Sequence, residues 1–173
     1  MSIYLLRGAP ASGKSDWVKE HGYEHITIAS GKVRAEVMSV ESNGSDNQKV
    51  HRISQRIVWD TIGRRLDEKL RNGECVILDA TNLKTRDIET QVRRADKYGA
   101  ECYIVDFWSD IACEQCIAKN HTRSSDKQVP DRVIERFYEN VQTQTIPMGV
   151  RAILAPDEAS AMIDMEIQDI DNG

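Results

Sequence analysis

The sequence predicts an α/β fold, a central parallel sheet with helices on both faces, and three observations carry that expectation. Short apolar runs at Ile3 to Leu6, Cys75 to Leu78 and Cys102 to Phe107 alternate with longer stretches of helical periodicity. The first run leads into a glycine-containing turn, and the second ends in a carboxylate, Asp79. Strands covered by helices on both sides are buried on both faces, so they read as unbroken hydrophobic stretches, as these do.

The elements follow in order. Ile3-Tyr4-Leu5-Leu6 is the first strand, and a helix starts at about Lys14. A weaker strand around Ile26 to Ile28 precedes Gly31. Asn43-Gly44-Ser45-Asp46-Asn47 is a flexible turn before the longest helical pattern, in which Val50, Ile53, Ile57, Ile62, Leu66 and Leu70 recur at helical steps. Asn72-Gly73 ends that helix, since glycine accepts the left-handed conformation of a helix stop. A second helix runs from about Arg86 to Tyr98, with Ile88, Val92 and Ala95 on one face and Gly99 as its stop. A third follows Ser109, read as its N-cap, and reaches about Lys119. Asn120 to Gln128 is polar and without periodicity, the expectation for a mobile loop, and Pro130-Asp131 opens a helix carrying Ile134, Phe137, Tyr138 and Val141. The acidic tail after Pro156 has no clear assignment. With no repeat and no linker, residues 1–173 are expected to form one domain.

Composition narrows the class. The 173 residues are 29% charged and 40% hydrophobic, as in soluble globular proteins, and no run of 18 apolar residues suggests a membrane span. The chain enters a strand at once, leaving no room for a signal peptide, so a cytoplasmic protein is expected. Four cysteines (Cys75, Cys102, Cys113, Cys116) fit buried small hydrophobes in a reducing compartment; the Cys113–Cys116 pair lacks the second pair a zinc site needs. A net charge of −5 announces no global basic field, although a local basic groove is compatible with it.

The chemistry starts at residues 8–15. Gly8-Ala9-Pro10-Ala11-Ser12-Gly13-Lys14-Ser15 matches GxxxxGK[ST] between a strand and a helix, where such a loop wraps the phosphates of a nucleoside triphosphate. Backbone N–H groups and the positive helix end converge on the polyanion, Lys14 reaches the outer phosphates, and the Ser15 hydroxyl ligates Mg²⁺. Asp79, closing a strand beside that loop, is read as a second holder of Mg²⁺; its alternative is a cap for the turn at Thr81-Asn82, and both of those residues line the same cleft. Lys119, Arg123 and Lys127 place cations on the polar segment, where they would stabilise charge on a transferring phosphoryl group; the segment reads equally well as a solvated basic turn. Lys32, Arg34, Lys49, Arg52 and Arg56 could form a basic wall for a nucleic-acid backbone; Arg52 and Arg56 read equally well as a solvated helix face. Trp17 and Trp59 read as core, while Trp108 carries no preference between core and base stacking.

Three motifs in order resemble the small P-loop kinases related to the kinase domain of phage polynucleotide kinase. They are the loop at 8–15 followed by Trp17, then Leu78-Asp79-Ala80-Thr81-Asn82-Leu83, then Lys119-Asn120-His121-Thr122-Arg123 with Val129-Pro130 beyond, spanning roughly residues 1–145. The resemblance implies a P-loop NTPase fold of kinase type with a mobile lid loop, and transfer of the γ-phosphate of ATP to a hydroxyl on DNA or RNA. It implies Lys14 and Ser15 on the phosphates and metal, Arg123 with Lys119 on the ATP phosphates, and Arg34 on the acceptor phosphate. Joined to the readings above, the candidate site is Lys14, Asp79, Arg123 and Arg34 as catalytic residues, Gly8 to Ser15 with Lys119 and Arg123 for ATP, Ser15 and Asp79 for the metal, and Lys32, Arg34 and Asn82 on the acceptor side. ATP would be the donor, with Mg²⁺, and nucleic acid the partner; a homo-oligomer stays open.

One departure stands out. The family's general base, an aspartate three residues before the acceptor arginine, corresponds to Gly31. Either another carboxylate (Glu36, Glu41 or Asp46) serves, or the acceptor is unusual, or activity is lost. The acceptor readings are a 5′-hydroxyl end, the hydroxyl of a modified base such as a hydroxymethyl pyrimidine in phage DNA, or a small molecule (a nucleoside, sugar or drug). A non-catalytic nucleotide-binding module is the remaining class.

Overall fold

The computed structural model describes the backbone of residues 1–41 and 47–171, with side-chain surroundings for 1–38 and 55–169. The strands are β1 (Ser2–Arg7), β2 (Thr27–Ala29), β3 (Val76–Asp79), β4 (Glu101–Asp106) and β5 (Val150–Leu154). The helices are α1 (Lys14–Glu20), α2 (Ser30–Glu41), α3 (Asn47–Arg71), α4 (Thr85–Tyr98), α5 (Cys113–His121), α6 (Asp131–Val141) and α7 (Pro156–Asp171). All strand pairings are parallel, in the order β2-β3-β1-β4-β5. This is the expected α/β architecture.

The sheet is buried from both sides. Ile3, Leu5, Val76, Leu78 and Ile104 face one layer with Val58, Ile62, Leu66 and Leu70 of α3 and Ile88, Val92 and Ala95 of α4. Tyr4, Leu6, Ile77 and Val105 face the other, with Trp17 and Val18 of α1 and Ala159 and Ile163 of α7. A third cluster joins Ala9 to Cys116 of α5 and Ile134, Phe137 and Val141 of α6, so these two helices pack directly on the glycine-containing loop. Each fully buried aliphatic side chain contributes roughly 1.5–3 kcal/mol.

Several expectations need correction. Among the described side chains of α3 the first buried one is Val58, four residues before Ile62; Ile57 and Trp59 flank it and are 38% and 37% exposed. Trp59 is therefore not core, because a 100° step per residue carries it past the packed face. Val50 and Ile53, the turn at 43–46, the carboxylates Glu41 and Asp46, and Lys49 and Arg52 lie outside the described side chains. Ser109 does not cap α5, which starts at Cys113; the Ala112 N–H is met instead by the Gln115 side chain at 2.8 Å. Asn120 and His121 belong to α5 rather than to the loop. Helix α2, strand β5 and helix α7 were not foreseen.

Strand β5 escaped because it is an edge strand, half-buried, with Arg151 as its second residue and Ile153 46% exposed. Gly149 leads into it at φ +95°, and a Cβ there would sit 2.4 Å from Val92 Cγ1. Gly149→Ala is expected to cost about 2–4 kcal/mol, from the backbone strain together with overpacking. Thermal or urea unfolding of the variant checks this.

Candidate phosphate-binding site

The strand register brings the site together. Ala29, Asp79, Leu6, Val105 and Leu154 lie in one row across the sheet near its carboxyl edge. Segments leaving β1, β2 and β3 therefore emerge side by side, the position where parallel sheets bind ligands. The β1 exit is the loop Gly8 to Gly13, in which Ala11 and Gly13 adopt left-handed φ values of 65° and 98°. Ser12 N–H turns back to Ala9 O at 3.2 Å, and Gly8 N–H reaches Thr81 O at 3.4 Å, linking the β1 and β3 exits.

Lys14 opens α1 and folds back over this loop. Its ammonium donates to Gly8 O and Ala9 O, both at 2.7 Å, and to Ser12 Oγ at 3.3 Å. The side chain is buried, and burial pushes its pKa down to about 8; Asp79 pulls the other way, and the positive charge of Arg123 adds to the depression. That coupling places Arg123, on the segment joining α5 to α6, within electrostatic range of Lys14. Lys119 is exposed one helical turn earlier on α5.

Ser15 Oγ donates to Asp79 Oδ2 at 2.8 Å, with the hydroxyl on an exposed residue and the carboxylate largely buried. These are hard oxygen donors, and one carboxylate with one hydroxyl fits Mg²⁺, which takes few protein ligands and fills its octahedron with phosphate and water. Among the described residues no group of three or more His, Cys, Asp or Glu could cage a metal.

Asn82 is not a free group in the cleft. It is 5% exposed, adopts φ 46°, and its Nδ2 donates to Leu6 O at 2.7 Å and Leu78 O at 3.3 Å. Its amide braces the ends of β1 and β3, which short apolar runs flanking a polar turn did not reveal.

On the β2 side, Lys32 is exposed and Arg34 half-buried in the first turns of α2. Arg34 Nε is buried with no hydrogen-bond partner among the described residues. Among the described residues, nothing beyond its chain neighbours and its own helix backbone lies within 4 Å of where a Cβ on Gly31 would stand. Glu36, offered as a substitute base, is engaged by Arg65 of α3 at 2.6 Å, and this contact holds its carboxyl below the usual range.

Asn120 organises the segment bearing Arg123. Its side chain donates to Val129 O at 2.7 Å and accepts from Val129 N–H at 3.1 Å, closing the connection between α5 and α6. His121 faces Asp131 at 2.8 Å across the same neck. Trp17 is buried as expected, against Tyr23 and Phe107, while Trp108 is half-buried with its Nε1–H on Asp106 at 3.2 Å.

Comparison with known proteins gives the family and the fold. The model of the AAA domain family AAA_33 matches residues 3–143. The chain belongs to this family and has the fold of P-loop kinases. Among solved structures, a chain from Chloroflexus aurantiacus whose kinase assignment is itself provisional aligns at TM-score 0.67 and 11% identity, over 99% of this chain and 97% of that one. A gluconokinase from Sinorhizobium meliloti aligns at 0.52 and 16%, over 95% and 88%. A chain of the Pnkp1/Rnl/Hen1 complex aligns at 0.52 and 21%, over 75% of this chain and 40% of that one. No curated protein matches the sequence. Among the described residues no helix is long and apolar enough to cross a membrane.

An anion entering the loop would favour the charged form of Lys14 and raise its pKa from about 8 toward the ordinary lysine value of 10.5. Binding of tripolyphosphate at pH 8.5 should therefore be accompanied by uptake of about 0.7 proton. Calorimetry in two buffers of different ionisation enthalpy measures it, and Lys14→Met should remove it.

Proposed function

We propose that this chain is an ATP-dependent kinase that transfers the γ-phosphate to a hydroxyl of a nucleic acid, most simply a 5′-hydroxyl end. The observation that carries the reading is the pairing, at one sheet edge, of two phosphate-seeking features. Lys14 and the Ser15–Asp79 pair sit at the β1 and β3 exits, while Arg34, with its buried unpartnered Nε, follows the β2 exit. A donor triphosphate on the first and an acceptor bearing its own phosphate on the second would meet between them. The family membership and the Pnkp1 complex among its structural likenesses support the same direction.

In this reading the acceptor oxygen attacks the γ-phosphorus, the bond to the β,γ-bridging oxygen breaks, ADP departs, and the acceptor proton passes to water. Lys14 neutralises charge on the β- and γ-phosphates, and Arg123 the charge that develops on the transferred group. Ser15 and Asp79 would hold Mg²⁺, which supplies further charge neutralisation and orients the phosphates. Phosphoryl transfer of this kind has little covalent work for a base, so glycine at position 31 is tolerable. The chain acts as one kinase domain in the cytoplasm.

The open space at Gly31 favours a second reading, in which a bulkier acceptor occupies the room an aspartate side chain would take. A hydroxymethyl pyrimidine within duplex DNA is such an acceptor.

Transfer of labelled γ-phosphate to a panel decides between them: 5′-hydroxyl DNA, 5′-hydroxyl RNA, hydroxymethylated duplex DNA, nucleosides and gluconate. Label on an oligonucleotide end supports the first reading, label on the modified base the second, and label on nucleosides or gluconate alone refutes both. Tight ATP binding with no ADP release toward any acceptor would leave a nucleotide-binding module instead.

Two variants sharpen the assignment. Arg123→Ala should lower turnover about 10²–10³-fold, less than the loss of a dedicated arginine finger, because Lys14 remains. Gly31→Asp should raise transfer to 5′-hydroxyl oligonucleotides about tenfold or more by installing a base, and lower it on a bulky modified base. Steady-state assays on the two acceptors read both effects.

A further inference from the structure

A buried polar network lies beneath the phosphate-binding loop and belongs to none of the roles above. Arg7, the last residue of β1 and the neighbour of Gly8, is 5% exposed. Its guanidinium grips Asp106 in two-pronged fashion, Nε to Oδ1 at 2.5 Å and Nη2 to Oδ2 at 2.6 Å. Asp106 ends β4 and is the register partner of Arg7. The remaining prong, Nη1, donates to Gln144 Oε1 at 2.8 Å, and Gln144 Nε2 donates to Asn82 O at 3.2 Å. Asn82 closes the ring through its bond to Leu6 O.

The placement of the partners gives this ring a meaning. Trp108, which also bonds Asp106, precedes α5, and Gln144 follows α6. Both ends of the α5–α6 hairpin, the unit that carries Lys119 and Arg123, are therefore tied to one ion pair at the root of the loop. A bidentate guanidinium–carboxylate pair fixes angle as well as distance, so it holds the hairpin in one orientation relative to Gly8.

We propose that Arg7, Asp106 and Gln144 are positioning residues that set Arg123 over the phosphate loop. This rests on the kinase reading and adds to it the device that registers the two halves of the site. A misplacement of about 1 Å can cost a hundredfold in rate, so a loose clamp should be felt in turnover more than in nucleotide affinity.

Gln144→Met tests the clamp, since it keeps the side-chain length and removes both hydrogen bonds; Gln144→Glu keeps the acceptor for Arg7. With the best acceptor of the panel, Gln144→Met should lower kcat about tenfold or more while KM for ATP stays within about twofold. Gln144→Glu should recover at least half of that loss. Hydrogen exchange of residues 119–129, measured with a nonhydrolysable ATP mimic bound, should quicken about tenfold in Gln144→Met and much less in Gln144→Glu. Unchanged kcat and exchange, or an equal loss in both variants, would overturn the proposal, even if the melting temperature falls. Should the unaltered protein phosphorylate nothing on the panel, the kinase reading fails by itself, and the exchange comparison still decides whether the clamp exists.

Discussion

The register of β1 on its neighbours is the constraint on which the site depends. Leu6 lies opposite Asp79 on one side and Val105 on the other, and Asp79 lies opposite Ala29. A slip of one residue would turn every side chain of β1 to the other face and separate Ser15 from Asp79. Burial on both faces makes such a slip costly, because Tyr4 and Leu6 pack in one layer and Ile3 and Leu5 in the other. The hydrophobic core thus sets, at a distance, the 2.8 Å contact between a hydroxyl and a carboxylate on which a metal would sit.

Around that register the fold concentrates positive charge in a place that resists it. Lys14 is buried, and among the described residues its ammonium donates to two carbonyls and a hydroxyl; burial holds its charge at a penalty that Asp79 offsets in part. An anion entering the loop would relieve that penalty. Arg7, equally buried, is in the opposite situation, held in two-pronged fashion by the Asp106 carboxylate and bonded to Gln144. Two buried cations seven residues apart in sequence thus differ in how their charge is met, Lys14 by neutral oxygens and Arg7 by a carboxylate.

Much of this was legible in the chain. The strand runs of β1, β3 and β4 stand out because both faces are buried, and the motif at 8–15 stands between a strand and a helix as its chemistry requires. The elements that escaped have weak signals for physical reasons. β5 is a half-buried edge, and α2 carries valines of low helix propensity, of which Val33 is buried and Val37 partly buried only through packing in the layer that holds α3. Trp59 shows the converse error: an aromatic residue inside an amphipathic pattern is not thereby in the core, because one helical step decides its direction.

What the sequence by itself determined is local: a phosphate-type loop between strand and helix, an aspartate at a strand end, and cations between two later helices. Those features follow from chain-neighbour chemistry, the turning freedom of glycine and the period of apolar residues. Only the tertiary structure decided that Asn82 braces two strand ends, that Glu36 is spent on Arg65, and that Arg7, Asp106, Gln144 and Trp108 meet beneath the loop. Arg7 and Gln144 are 137 residues apart, and no local rule links them. Their meeting is a consequence of parallel strands delivering distant segments to one edge, where a buried guanidinium must find every partner it can.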